Sequence, residues 1–141
     1  VEAQNKLVNE AIAVYKRWTK ERTRLYRTGG TNTVTPEMSA TTAGEAQSSA
    51  LGIFKDLKAA GVRAQSGSLR VIAVGPIVAE GTPSDGVVIR ACVDGTSLKF
   101  VREGKSVNTG VKFEEDITFR SINGGLRMWS VASESVKSCA A

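Results

Sequence analysis

Apolar residues in the first part of the chain recur at the spacing of a helix. Residues 2–28 contain no glycine or proline, and apolar side chains return every three or four positions. A stripe of this kind predicts a long amphipathic helix that packs against a broad surface. Its apolar positions form two rows, Leu7, Ala11, Val14, Trp18 and Leu25, and Val8, Ile12, Tyr15 and Tyr26. Gly29 and Gly30 are expected to end the helix.

A second helix is predicted over residues 43–60, with Gly61 as its stop. Its inward positions are expected to be Ala46, Ala50, Ile53, Phe54 and Leu57. Between the two helices, Thr35 has the character of an N-cap, and Pro36 and Glu37 suit the first helical positions. This signature predicts a short helical turn.

Beyond Gly67 the apolar period changes from helical to alternating, which indicates strands. Gly75 and Pro76 predict a break or bulge in the first strand, and Asp94 with Gly95 predicts a hairpin turn between the second and third. Helices followed by an antiparallel meander favour an α+β fold, in which N-terminal helices pack into a curved antiparallel sheet. The strands are expected at about 68–79, 86–94, 97–102, 111–122 and 126–136.

Length and composition are those of one globular domain. The chain has 141 residues, of which 41% are hydrophobic and 23% charged. No apolar run approaches the roughly 20 residues that span a bilayer. Because the sequence starts at Val1 rather than methionine, we expect a leader, a lipid attachment site or a membrane anchor upstream.

Catalytic and metal-binding motifs are sparse in the sequence. It contains no histidine, which is the commonest general base and metal ligand. Two cysteines cannot complete a structural zinc site, and the glycine-rich stretches lack the spacing of a phosphate-binding loop. We therefore expect a protein without a cofactor or metal, and one that is not an enzyme.

The two cysteines are placed as a structural pair rather than a reactive one. Cys92 lies inside the alternating run VVIRACVD, and Cys139 lies close to the C-terminus. We interpret them as a disulfide that ties the last strand into the sheet, with two buried unpaired thiols as the alternative. A disulfide would indicate an oxidising compartment. Redox catalysis is disfavoured because neither a CxxC spacing nor a histidine neighbour is present.

Two segments carry a resemblance to a known group of proteins. The stretches ACVDGTSLKFVREGKSV and LRMWSVASESVKSC, with the order of helices and strands, resemble extracytoplasmic domains of actinobacterial lipoproteins of the nuclear transport factor 2-like fold. The resemblance implies a cone-shaped domain, a Cys92–Cys139 disulfide and attachment to the cell envelope. A related possibility is a periplasmic domain of a conjugation or type IV secretion channel subunit, since such domains share this cone and follow a membrane helix.

Glu115 is the most conspicuous carboxylate. In the strand 111–122, it shares one face with Val111, Phe113, Ile117 and Phe119, whereas Asp116 shares the opposite, polar face. Burial among apolar residues would suppress ionisation of Glu115 and make it a candidate general acid or base. The alternative is a solvated carboxylate at an edge or a cavity mouth. No histidine or second inward carboxylate completes an acid–base pair.

The second half of the first helix is strongly basic, and the whole chain has a formal net charge of +5. This segment predicts contact with an anionic surface such as lipid headgroups or envelope polymer. Nucleic acid is disfavoured because the charge is modest for such a partner. The alternative is a solvated outer face whose charge suits the helix C-terminus. The basic residues are Lys16, Arg17, Lys20, Arg22, Arg24 and Arg27.

These observations favour a non-enzymatic extracytoplasmic module, anchored upstream, that binds a small ligand or an envelope protein. One alternative is a scaffold subunit of a conjugation or secretion apparatus, which would assemble as a homo-oligomer. The other is a small cavity enzyme, an isomerase, dehydratase or hydrolase, that uses Glu115 or Asp116. The candidate cavity residues are Tyr15, Trp18, Phe54, Phe113, Glu115 and Trp129.

Overall fold

Helices precede antiparallel strands in the structure, a computed structural model that describes residues 2–139. The α+β class is therefore confirmed, while Val1 and residues 140–141, the ends of the predicted domain, lie outside the described residues. The helices are α1 (Glu2–Thr28), α2 (Pro36–Thr41) and α3 (Gly44–Ala60). The strands are β1 (Val62–Ser66), β2 (Arg70–Pro76), β3 (Val87–Asp94), β4 (Lys99–Arg102), β5 (Lys105–Thr109), β6 (Lys112–Ile122) and β7 (Gly125–Ser135). Within residues 2–139, no helix is long and apolar enough to cross a membrane.

The strands form two sheets, and the expected single meander is wrong. One sheet has the order β2-β3-β6-β7 and the other has the order β1-β4-β5. The Asp94–Gly95 turn is present, with the Leu98 amide donating to the Gly95 carbonyl over 3.1 Å. It joins the two sheets instead of closing a hairpin, because β3 pairs with β2 and β6 whereas β4 pairs with β1 and β5.

A two-residue hairpin joins β6 and β7. Ile122 pairs with Gly125, and the two residues between them have φ values of 50° at Asn123 and 86° at Gly124. Both central residues of a two-residue type I′ turn need positive φ, which asparagine and glycine tolerate best. The break expected at Gly75 and Pro76 is confirmed, because β2 ends at Pro76 and lies at the edge of its sheet. The bulge offered as the other possibility is not at this position, since the β2–β3 register shifts between Val71 and Ala73.

The core lies between the helices and one face of the four-stranded sheet. Alternating residues of β3 and β6 that face it are buried, and apolar side chains of α1 and α3 pack opposite them, some fully and some partly buried. The core residues include Tyr15, Trp18, Ala46, Ala50, Phe54, Ile89, Ala91, Val93, Ile117 and Phe119.

A disulfide between Cys92 and Cys139 is present, with 5.7 Å between the two Cα atoms. Cys92 lies on β3 between Ala91 and Val93, whose side chains face the core, so its own side chain lies on the opposite face. After β7 the Val136 amide donates to the Lys112 carbonyl over 2.9 Å, which extends the pairing with β6. The bridge therefore fastens the C-terminal segment to β3, one of the two inner strands of the sheet.

Candidate functional site

A cavity of about 440 Å³ lies between α1, α3 and the strands that face them. Its wall is buried at Trp18 and Phe54, which are 3% and 1% exposed. Its mouth has two exposed apolar residues, Ile53 and Val111, which are 54% and 51% exposed. Cavities of this size and apolar character are typical of sites for small ligands.

Helical and strand periodicity bring the lining residues together. On α1, Trp18, Arg22 and Tyr26 are spaced four residues apart and so lie on one face of the helix. On β6, Phe113 and Glu115 are two residues apart and point to the same side of the strand. The small residues Ala46, Ser49 and Ala50 line the cavity from α3 and leave its centre open.

The polar feature of the wall is a buried ion pair between α1 and β6. Arg22 Nη1 lies 3.0 Å from Glu115 Oε1, and the two side chains are 11% and 5% exposed. The carboxylate thus has a cationic partner, which sequence reasoning missed. Burial of the Arg22 guanidinium opposes its positive charge and lowers its pKa. The Glu115 carboxylate counters this effect and helps to hold the pKa of Arg22 above its usual value.

The Tyr15 hydroxyl contacts both members of this ion pair. It donates to Glu115 Oε1 over 2.6 Å, and Arg22 Nη2 donates to the Tyr15 hydroxyl over 3.1 Å and to Thr19 Oγ1 over 3.2 Å. Burial is the largest cause of a raised pKa at Tyr15, and the Glu115 carboxylate adds to it. The three groups form one closed network in which each polar group orients the next.

Aromatic rings surround the Arg22 guanidinium. Its Cζ lies 5.6 Å from the ring centroid of Tyr15, 6.0 Å from that of Trp18 and 5.5 Å from that of Phe113. These distances suit cation–π attraction, which strengthens when the cation is desolvated. Arg22 Nε, however, is buried and has no hydrogen-bond partner among the residues that the structure describes.

The structure brings four of the six candidate cavity residues to the cavity wall: Trp18, Phe54, Phe113 and Glu115. Tyr15 lies behind the wall, where it contacts Glu115. Trp129 does not line the cavity, so its assignment to it is wrong. Because Met128 faces the cavity, the next residue on the strand turns away. The centroid of the Trp129 ring lies 4.8 Å from Arg120 Cζ, and the ring packs against Gly44.

Glu115 is buried, as its position among the apolar residues of the strand predicted, but Arg22 supplies a counter-charge and Tyr15 a hydrogen bond. Asp116, on the opposite face, accepts hydrogen bonds from Arg90 Nε and Nη2 over 2.7 and 3.0 Å. Each carboxylate is thus paired with an arginine. No cluster of three metal-ligating side chains occurs in the described part of the chain.

The basic half of α1 is less uniform than its sequence suggests. Arg22 belongs to the core network and is not available to an external surface, which corrects its assignment to the anionic contact. Arg17 pairs with Glu37, and Arg24 pairs with the buried Glu21 over 2.6 Å. Arg27 donates to the Gly67 carbonyl over 3.1 Å, while Lys16 and Lys20 remain exposed.

Comparison with known proteins gives one weak structural likeness. No family model and no curated protein matches the chain. Among solved structures, the chain is similar to the intermembrane space region of the chloroplast protein ARC6, with a TM-score of 0.46 and 14% identity. The match covers 92% of this chain and 97% of that one.

Proposed function

We propose that this chain is a non-enzymatic binding module that holds a small, largely apolar ligand in the cavity between α1, α3 and the sheet. The observation that supports this most directly is the cavity of about 440 Å³, because its aromatic wall is open at a mouth with exposed apolar residues. Ile53 and Val111 leave apolar area in water that a bound ligand would cover.

Binding is favoured over catalysis by the state of the polar groups. A general base needs a lone pair that can reach a substrate proton, and Oε1 of Glu115 is already held by both Arg22 and Tyr15. The network instead stiffens the wall, which lowers the cost of ordering the site on binding.

We further propose that the module works outside the cytoplasm, as an envelope-anchored domain of nuclear transport factor 2-like fold. The disulfide supports this location, since such bridges persist mainly in oxidising compartments. The two cysteine-bearing segments and the order of helices before antiparallel strands support the fold.

The test is to fill the cavity from α3. Ala50 is buried and lines the cavity, so Ala50→Phe places a ring inside it. Ala59, on the same helix, is exposed and lies away from the lining, so Ala59→Phe is the matched control. We expect the uncharged fluorescent probe N-phenyl-1-naphthylamine to bind the unaltered chain and Ala59→Phe saturably, and to lose most of its affinity for Ala50→Phe.

Circular dichroism would show that both variants fold, and Ala50→Leu replaces Ala50→Phe if the larger side chain prevents folding. Absence of saturable binding by the unaltered chain contradicts the proposed function. So does equal affinity in a folded variant whose cavity is filled.

A further inference from the structure

The cavity wall carries two hydrogen-bond donors that no described residue satisfies. Arg22 Nε is buried without an acceptor. The hydroxyl of Tyr26 makes no hydrogen bond with any residue in the range 2–139, although its ring is packed against Phe54 and Phe100 at centroid distances of 5.0 and 5.5 Å. Both residues line the cavity. Arg22 Nε is the buried donor of the two, and a buried donor without an acceptor is unfavourable, so an acceptor from a ligand would stabilise this end of the cavity.

The charges around the cavity disfavour an anionic ligand, and burial disfavours any unpaired charge. Arg22 is already neutralised by Glu115 at 3.0 Å, so the buried wall provides no free counter-charge for a charged ligand. Glu45, at the start of α3, is exposed and carries negative charge at the cavity, whereas Glu134 pairs with Glu114 on the strand and its side chain lies on the opposite face of the sheet, near Arg90. A carboxylate or phosphate would therefore pass the like charge of Glu45 and meet a compensated pair.

The shape and surface of the cavity set the rest of the ligand. Its wall is aromatic and aliphatic from Trp18 and Phe54 out to the exposed Ile53 and Val111 at the mouth. A volume of about 440 Å³ corresponds to roughly 15 water-sized units at about 30 Å³ each. A ligand of about ten to fifteen non-hydrogen atoms fits such a space.

We infer that the cavity binds an uncharged, chain-like apolar molecule whose single hydroxyl or carbonyl oxygen accepts hydrogen bonds from Tyr26 and Arg22 at the inner end. This inference rests on the proposed function and specifies its ligand class. The apolar chain lies between α1 and α3 and covers Ile53 and Val111 as it leaves the mouth.

The test uses three matched probes, 1-decanol, decanoate and decylammonium, each displacing N-phenyl-1-naphthylamine from the unaltered chain. We expect 1-decanol to compete at a concentration at least about tenfold lower than either ion, because only the ions must bury an unpaired charge. Equal or better competition by decanoate or decylammonium overturns the inference. Binding of N-phenyl-1-naphthylamine to the unaltered chain, and its loss in Ala50→Phe, are measured first. A negative result there contradicts the proposed function, whereas a negative result with the three decyl probes contradicts only the ligand class.

Tyr26→Phe tests the polar anchor. This variant keeps the ring contacts with Phe54 and Phe100 and removes one donor. We expect its affinity for 1-decanol to fall about fivefold, which is more than the fall in its affinity for N-phenyl-1-naphthylamine, while the melting temperature stays near that of the unaltered chain. Unchanged 1-decanol affinity, or equal losses for both probes, contradicts the assignment of Tyr26.

Discussion

Arg22 on α1 and Glu115 on β6 form a buried ion pair, with 3.0 Å between Nη1 and Oε1. The pair connects the long helix to the middle of the four-stranded sheet and forms part of the cavity wall. The Tyr15 hydroxyl bonds to both partners and so fixes their orientation. The stability of the fold and the shape of the candidate site therefore depend on the same three side chains.

Removing one charge of this pair should be strongly destabilising. Glu115→Gln keeps the shape of the side chain but leaves the Arg22 cation buried without compensation, so we expect the free energy of unfolding to fall by about 3 kcal/mol. Adding Arg22→Met should restore at least half of this loss, because the double variant buries no net charge. Urea denaturation of the single and double variants measures both effects.

Asp116→Asn is the matched control for Glu115→Gln. Asp116 is the next residue on β6 and also pairs with an arginine, but its partner Arg90 lies on the solvent side, where ion pairs contribute little. We expect a much smaller change for Asp116→Asn than for Glu115→Gln. Similar losses in the two variants would show that the buried pair contributes no more to the free energy of unfolding than the exposed pair does.

Both tyrosines should resist ionisation in the folded protein. Burial is the main cause of a raised pKa at Tyr15 and at Tyr26, and these are the two tyrosines of the sequence. Because the folded pKa exceeds the unfolded value of about 10, the folded protein holds the phenolic protons more tightly than the unfolded chain does. The stability that this difference provides is complete below pH 10 and is lost as the pH rises above it.

We therefore expect the native protein to show little phenolate absorbance at a pH slightly above 10, where the chain unfolded in guanidinium is about half ionised. A pH titration of the near-ultraviolet absorbance checks this. Phenolate formation near pH 10 while the circular dichroism remains native would disprove the burial of these hydroxyls.

The disulfide should contribute a large part of the stability. Its cysteines are separated by 47 positions, and a loop of that size corresponds to about 4 kcal/mol in the chain-entropy model. Cys92→Ala combined with Cys139→Ala should lower the free energy of unfolding by an amount of this order. Thiol titration under denaturing conditions should find no free thiol before reduction and two afterwards; two free thiols without reductant would refute the bridge.

Glu21 should make stability depend on acid pH. Its carboxylate accepts hydrogen bonds from Arg24 Nε and Nη2 over 2.6 and 2.8 Å and from Thr35 Oγ1 over 2.6 Å. The bonds from Arg24 are the first cause of its lowered pKa, and that from Thr35 also lowers it. A carboxyl whose folded pKa lies below its unfolded value stabilises the protein above the unfolded pKa, about 4.3, and loses this effect as the pH falls.

Glu21→Gln should therefore cost about 1 kcal/mol at neutral pH and less below pH 4, as measured by urea denaturation across this range. Glu80→Gln, at an exposed position, serves as the control. A difference between Glu21→Gln and the unaltered chain that stays constant with pH would contradict the assigned ionisation.

Strong periodicity and caps made much of the fold predictable from sequence. The apolar stripes, with glycines just beyond their ends, indicate α1 and α3, and Thr35 does cap α2 by accepting from the Met38 amide over 3.1 Å. The two-residue period also placed Glu115 on the core face of β6. By contrast, β1 has one buried residue, Ala64, and β5 is exposed throughout. Neither strand has an alternation that could reveal it or the second sheet.

The candidate site was only partly predictable for a related reason. A dense run of basic residues suggested one solvated face and concealed Arg22. Its spacing from Tyr15 and Trp18, seven and four positions, places it on the buried stripe of α1. That spacing, with a lone carboxylate on an apolar strand face, was the signal for an ion pair. The open cavity depends on three-dimensional packing of small side chains on α3, which periodicity does not report.

We propose that an apolar ligand enters the cavity between α1, α3 and the sheet. The most direct measurement is a ¹³C-methyl NMR titration of the intact protein with 1-decanol. We predict saturable shift changes at the methyl groups of Ala46, Ala50, Ile53 and Val131, which line the cavity, and little change at Val71, in a separate groove. Absence of saturable changes at the cavity methyl groups, or equal changes at Val71, would contradict the account.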